Sequence, residues 1–195
     1  MAHPFKKFIQ KDQLKTYPLK SFDGDILFFH TLCQEERLSL LRDLDSQKVL
    51  GLDTETKPSF TKGIQNPLAL LQIYLPHRVI LFQLRKYFLP IEICKIIEDP
   101  NIIKVGVGLR DDIRGLRRDF NCEPMGTLDL NQFAKKKKFH SIGVQKLSAL
   151  VLGIYVDKKQ QLSNWETNPL SKEQQLYAAT DAWVSYAIYE KIKDL

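Results

Sequence analysis

The sequence is poor in features that would place it in several large protein classes. It has three cysteines, Cys33, Cys94 and Cys122. They are odd in number and widely spaced, so they fit neither a disulfide framework nor a CxxC metal clip, and they suit a reducing compartment. No apolar run reaches the roughly 18 residues of a membrane span. The opening residues, Met1-Ala2-His3-Pro4-Phe5-Lys6-Lys7, lack the apolar core of a secretory signal. These absences predict a cytoplasmic protein, nuclear in a eukaryote, with no membrane partner. No internal repeat is present, and the only biased tract is Lys135 to Lys138.

What is present is ordinary for a globular domain. The chain has 195 residues, 44% of them apolar and 27% charged. That is enough chain to bury a substantial core, and it predicts one domain. The formal charge of +6 favours a polyanionic partner modestly, since many proteins with no such partner are equally basic. Residues 1–24 read as an irregular arm punctuated by Pro4, Pro18 and Gly24. Residues 25–195 read as the domain.

Within that domain strand and helix patterns alternate. Strands are expected at 26–30, 49–52, 68–74, 79–82, 102–107 and 127–130, the third and fourth forming a hairpin through Pro76 and His77. Helices are expected at 32–44 (Thr31 a cap candidate), 87–98 with a break at Pro90, 110–119, 131–137, 146–152 ended by Gly153, and 172–193. The last has Ser171 and Gln174 in capping-box spacing and an apolar face of Leu176, Ala179, Ala182, Trp183, Tyr186 and Ala187. The pattern predicts an α/β fold with a mixed sheet covered by helices.

Three passages carry carboxylates at the ends or edges of these elements. In Val49-Leu50-Gly51-Leu52-Asp53-Thr54-Glu55-Thr56 a buried apolar strand runs into two acids, which places Asp53 and Glu55 at its carboxyl end. Residues two apart on a strand point to one side, so the two carboxylates face the same way and repel. A divalent cation would relieve that repulsion. The second passage is Lys104-Val105-Gly106-Val107-Gly108-Leu109-Arg110-Asp111-Asp112. It lacks the third glycine of a dinucleotide-binding loop. Asp111 and Asp112 open a helix, where negative charge is also favourable simply as capping. In the third passage Tyr177 and Asp181 are four apart and share one helical face. Asp181 lies in an apolar stretch, so it needs either a hydrogen-bond partner or a metal.

Taken together, these passages resemble the three motifs of the DEDD exonuclease superfamily, in its tyrosine-bearing branch. Leu-Asp-Thr-Glu-Thr at 52–56, Lys-Val-Gly-Val-Gly-Leu-x-x-Asp at 104–112, and Leu-Ser-Asn-Trp at 162–165 followed by Gln-x-Leu-Tyr-Ala-Ala-Thr-Asp-Ala at 174–182 are similar to the Werner-type exonuclease domain and its stand-alone relatives. Ribonuclease D is a more distant cousin. The resemblance spans residues 49–193. It implies a ribonuclease H-like fold with a mixed five-to-six-stranded sheet, and it selects Asp112, three residues after Leu109, over Asp111. Helicase coupling and RNA-binding helical domains of such relatives are not implied, and the chain resembles the catalytic domain alone.

The implied activity is two-metal-ion 3′–5′ exonuclease hydrolysis, releasing nucleoside 5′-monophosphates from nucleic acid with a free 3′ end. DNA is favoured as the substrate and RNA is the alternative. All-carboxylate ligation selects Mg²⁺ or Mn²⁺, two ions per site about 4 Å apart. By resemblance, Asp53 bridges both ions, Glu55 and Asp181 complete the nucleophile-side site, and Asp112 holds the second. Tyr177 would orient the attacking water rather than act as a base, since a phenol titrates near 10. No histidine stands five residues before Asp181, where the sister branch places its base. Thr54 backbone would contact the terminal nucleotide. Phe60, in the loop after the first motif, is either a base-stacking residue or a loop anchor. Trp165 reads as packing. Lys135 to Lys138 and Arg110, Arg114, Arg117 and Arg118 are either phosphate contacts or solvated helix surface. Two other classes compete: a non-catalytic nucleic-acid-binding module, which a complete acid set argues against, and a phosphatase acting on mononucleotides.

Overall fold

A computed structural model of the chain describes residues 5–59, 61, 63–84 and 88–195. Its centre is a six-stranded mixed sheet in the order β1-β4-β3-β2-β5-β6. The strands are β1 (Asp25–Phe28), β2 (Val49–Thr56), β3 (Leu68–Leu75), β4 (Arg78–Gln83), β5 (Ile103–Gly106) and β6 (Thr127–Asp129). β3 pairs antiparallel with β2 and β4, while β1–β4, β2–β5 and β5–β6 are parallel. The hairpin turns through Pro76 and His77, the latter at φ 68°. β2 is central, as its apolar start predicts. It does not stop at Leu52, however. It runs on through both acids, with Asp53 opposite Gln72 and Glu55 opposite Leu70.

Alternation along β2 sorts its side chains between two layers. Leu50 and Leu52 join a core with Leu40 and Leu44 of α1 (Gln34–Asp45), Ile93 and Ile97 of α2 (Ile91–Glu98) and Leu116 of α3 (Arg110–Phe120). Gly51 faces the opposite layer, where α6 (Lys172–Ile192) lies across the sheet with Ala178, Ala179 and Ala182 against Leu70, Tyr74 and Leu81. A Cβ at Gly51 would sit 2.3 Å from the Ala182 carbonyl oxygen. The helix therefore approaches this strand as closely as a backbone can. Asp53 and Glu55, two and four residues on, face the same helix.

α6 carries its capping box: Ser171 Oγ accepts from the Gln174 N–H at 3.2 Å and Gln174 Oε1 accepts from the Ser171 N–H at 3.0 Å. Its expected apolar face is displaced. Leu176 is 36% exposed, whereas Val184, Ser185, Ile188 and Ile192 are buried. The helix is covered by the sheet on one side and by α4 (Leu130–Lys136), α5 (Val144–Leu147) and a following π-helical turn (Ser148–Leu152) on the other, so no single stripe describes it. That π turn, closed by Gly153 at φ 69°, replaces the second half of the helix expected over 146–152. At α1 the cap position is Cys33, whose N–H donates to Glu36 at 2.7 Å, and Thr31 instead bonds the Phe28 carbonyl. α2 starts after Pro90; Tyr87 lies outside the described residues.

The N-terminal segment is irregular but docked. Ile9 and Leu14 are buried with Leu147, Val151 and Ile188. The His140 N–H donates to the Lys7 carbonyl at 2.8 Å, and Leu19 forms a parallel bridge with Tyr155. No helix among the described residues is long and apolar enough to cross a membrane.

Because the atom facing Gly51 is backbone, it cannot move aside as a side chain would. Gly51→Ala is expected to cost about 3 kcal/mol of stability through overpacking. Urea unfolding checks this, and an unchanged midpoint would show that α6 does not bear on β2 at this point.

Candidate active site

Three elements deliver the carboxylates to one cleft. β2 supplies Asp53 and Glu55, α3 supplies Asp112 from its first turn, and α6 supplies Asp181. Oxygen atoms of Asp53, Glu55 and Asp181 lie within 4.8 Å of one another. Asp112 is placed beside them by the Thr54 hydroxyl, which donates to its Oδ1. Gly106 and Gly108 make the β5–α3 connection possible. A Cβ at Gly106 would fall 2.5 Å from the Leu52 carbonyl oxygen, and Gly108 adopts φ +84°. Asp111 points elsewhere: it is exposed and pairs with Arg114 at 3.0 Å.

The cleft has a volume of about 160 Å³ and is lined by Asp53, Glu55, Tyr177, Asp181, Lys158 and Gln161, among others. Its electrostatics follow from like charges in a partly desolvated space. Burial, then the facing Asp112, Glu55 and Asp181, holds the Asp53 carboxyl well above its ordinary range. Burial, then Asp181 and Asp112, pushes Glu55 up to about 9, with Lys158 opposing. Asp112 is raised by burial to about 6, less than Asp53 and Glu55 because the Thr54 hydroxyl bonds its charged form. Asp181 is raised by burial to about 6, restrained by the Tyr177 hydroxyl and by Lys158. The Tyr177 hydroxyl is itself pushed up by burial and by Asp181 and Glu55, so it is a neutral hydrogen-bond donor.

These observations also test whether the residues suit a metal. Asp181 Oδ1 is buried and has no hydrogen-bond partner. The donor set is entirely carboxylate, which suits hard divalent cations. Without a cation the acids can coexist only by holding protons.

The structure thus brings Asp53, Thr54, Glu55, Asp112, Tyr177 and Asp181 together. Phe60 lies outside the described residues. Trp165 is fully buried against the Tyr177 ring, centroids 5.8 Å apart, as a packing residue. Arg114, Arg117 and Arg118 pair with Asp111, Glu123 and Asp119. Lys137 donates to the Lys193 and Leu195 carbonyls. Sequence reasoning missed Lys158 and Gln161, and gave Thr54 only a backbone role. The two former stand in an aperiodic loop between Gly153 and Trp165, where no spacing signals a direction.

A family model described as 3′–5′ exonuclease matches residues 29–195. A 3′–5′ exonuclease of Arabidopsis thaliana is 29% identical over 206 residues, covering 98% of this chain and 72% of that protein. The bifunctional 3′–5′ exonuclease/ATP-dependent helicase WRN of Mus musculus is 30% identical over 199 residues, covering 97% of this chain but 14% of that protein. The crystal structure of Escherichia coli RNase D, an exoribonuclease involved in structured RNA processing, superposes with a TM-score of 0.74 at 20% identity, covering 88% of this chain and 44% of that one. The fold is accordingly the ribonuclease H-like one.

The raised carboxyls set a pH dependence for the protein in chelator. Each folded value exceeds the unfolded one near 4, so the folded state binds more protons across the interval between them. The stability these groups contribute is fully present below pH about 4, and it is lost as pH rises through about 6 for Asp112 and Asp181 and about 9 for Glu55. Melting temperatures from pH 5 to 9 in chelator should fall, and Asp53→Asn should flatten the fall without lowering the melting temperature at pH 8. A flat wild-type profile would contradict the repulsion.

Proposed function

The chain belongs to the 3′–5′ exonuclease family, and on that premise we propose that it removes nucleotides hydrolytically from the 3′ end of DNA at the Asp53–Glu55–Asp112–Asp181 cleft. The observation that carries this reading is the convergence of Asp53, Glu55, Asp181 and Tyr177 on one cleft of about 160 Å³, with Asp112 held beside Asp53 by the Thr54 hydroxyl. Asp53, Glu55 and Asp181 would hold one divalent cation, and Asp53 with Asp112 a second, Mg²⁺ or Mn²⁺. When bound, such ions lower the pKa of water and stabilise a departing 3′-oxygen.

The chain's own groups do the rest. Tyr177, a neutral donor beside Asp181, orients the attacking water. Thr54 does two things: its hydroxyl fixes Asp112, and its backbone faces the terminal nucleotide. Lys158 brings a positive charge to the mouth of an otherwise acidic cleft, which offsets the repulsion a phosphodiester would meet there.

The preference for DNA rests on the resemblance of the three motifs to Werner-type exonuclease domains, and the likeness to the helicase-linked relative extends over 97% of the chain at 30% identity. No group in the cleft has been assigned to a ribose 2′-hydroxyl. Competition between matched DNA and RNA oligonucleotides decides the point. Faster trimming of RNA would reverse the assignment while leaving the exonuclease reading intact.

A 3′-labelled oligonucleotide with Mg²⁺ or Mn²⁺ should release nucleoside monophosphates. Asp53→Ala and Asp181→Ala should each lower the rate on the order of a thousandfold, or about 4 kcal/mol of transition-state stabilisation. Tyr177→Phe should lower it about a hundredfold through misplaced water. Wild-type rates in either Asp variant would sink the proposal. Hydrolysis of mononucleotides with no cleavage of any polymer would point to a phosphatase.

A further inference from the structure

Two of the three cysteines, far apart in sequence, meet in the fold. Cys94 and Glu98 are one turn apart on α2 and share a face. Cys122 follows Asn121, which ends α3 in the left-handed region at φ 51°. The Cys122 N–H donates to the Leu116 carbonyl at 3.3 Å, and its Sγ lies 3.8 Å from the Cys94 carbonyl oxygen. Both sulfur atoms and a carboxylate oxygen of Glu98 lie within 4.8 Å of one another. Glu98 Oε1 accepts from the Glu123 N–H at 2.8 Å, which orients the carboxylate and leaves Oε2 uncommitted by that bond.

A second observation comes from the neighbouring strand. Lys104 of β5 is fully buried. Its ammonium donates to the Asp99 and Ile96 carbonyls at 2.6 and 3.4 Å. Burial pushes this ammonium down to about 8, and Asp99 first and Cys122 second are the negative groups that oppose the push.

We infer that Cys94, Glu98 and Cys122 form a thiolate-rich metal site selective for Zn²⁺, which ties α2 to the end of α3. Two thiolates and a carboxylate around a divalent ion leave one net negative charge, with the Lys104 ammonium, shared with Asp99, as the cation that Cys122 faces. Binding releases the two thiol protons to solvent. Thiolate ligands favour zinc over the Mg²⁺ and Mn²⁺ that suit the carboxylate cleft, so the two sites do not compete for one ion. Three protein ligands leave a fourth tetrahedral position for water. Glu98 is partly exposed and marks the route of entry, whereas Cys94 and Cys122 are buried. The site is independent of the hydrolytic reading, because none of its residues lines the carboxylate cleft.

Co²⁺ titration of the reduced, chelator-treated chain tests it. A near-ultraviolet thiolate-to-cobalt absorption should rise to one equivalent and vanish when Zn²⁺ is added. It should be lost in Cys94→Ala and Cys122→Ala and retained in Cys33→Ser and Asp53→Asn. Since either buried-cysteine variant can lose its fold, zinc X-ray absorption on the wild-type chain is the companion measurement. Two sulfur scatterers at about 2.3 Å are expected. No thiolate absorption in the wild type, its persistence in both cysteine variants, or a zinc shell of light atoms only would overturn the site.

Discussion

Mutual repulsion among Asp53, Glu55, Asp112 and Asp181 is the constraint on which the rest of this structure depends. Four carboxylates from three elements occupy one partly desolvated cleft. A fold does not bring such groups together for stability, because each neighbour raises the cost of ionising the next. The arrangement is favourable only with protons or cations in it. The surrounding groups moderate the repulsion unequally. Thr54 bonds Asp112, and the Tyr177 hydroxyl and Lys158 restrain Asp181, so burial raises both acids only to about 6, while Glu55 has only Lys158 opposing its rise.

Close packing makes that juxtaposition possible. Asp181 reaches β2 because α6 lies on it at backbone distance. It does so because Gly51 has no side chain and Ala178, Ala179 and Ala182 have small ones. The alternation that buries Leu50 and Leu52 beneath α1, α2 and α3 turns Asp53 and Glu55 to the α6 side. The apolar pattern of one strand thus fixes both a core and the direction of two functional acids. Asp112 depends on a different device, the tight β5–α3 connection through Gly106 and Gly108.

Much of this was legible in the sequence, for identifiable reasons. Asp53, Glu55, Asp112, Tyr177 and Asp181 sit in short motifs at fixed offsets from apolar strands or within one helical turn, where local spacing carries the geometry. The six strands were visible in their apolar runs. The reach of β2 as far as Thr56 was not, because polar residues at a strand's end look like a loop until a partner strand is known to pair with them. Leu176 was misplaced on α6 because a helix covered on several sides has no single apolar stripe to read. Lys158 and the meeting of Cys94, Glu98 and Cys122 were invisible, since they arise from tertiary packing of segments with no common period.

Diffraction from crystals grown with Mn²⁺ and a nucleoside monophosphate measures the central claim most directly. The account predicts two anomalous peaks about 4 Å apart, coordinated between them by Asp53, Glu55, Asp112 and Asp181, with the nucleotide phosphate beside them and Tyr177 facing it. A cleft that stays free of manganese at saturating concentration, with the four carboxylates hydrogen-bonded to one another instead, would contradict it.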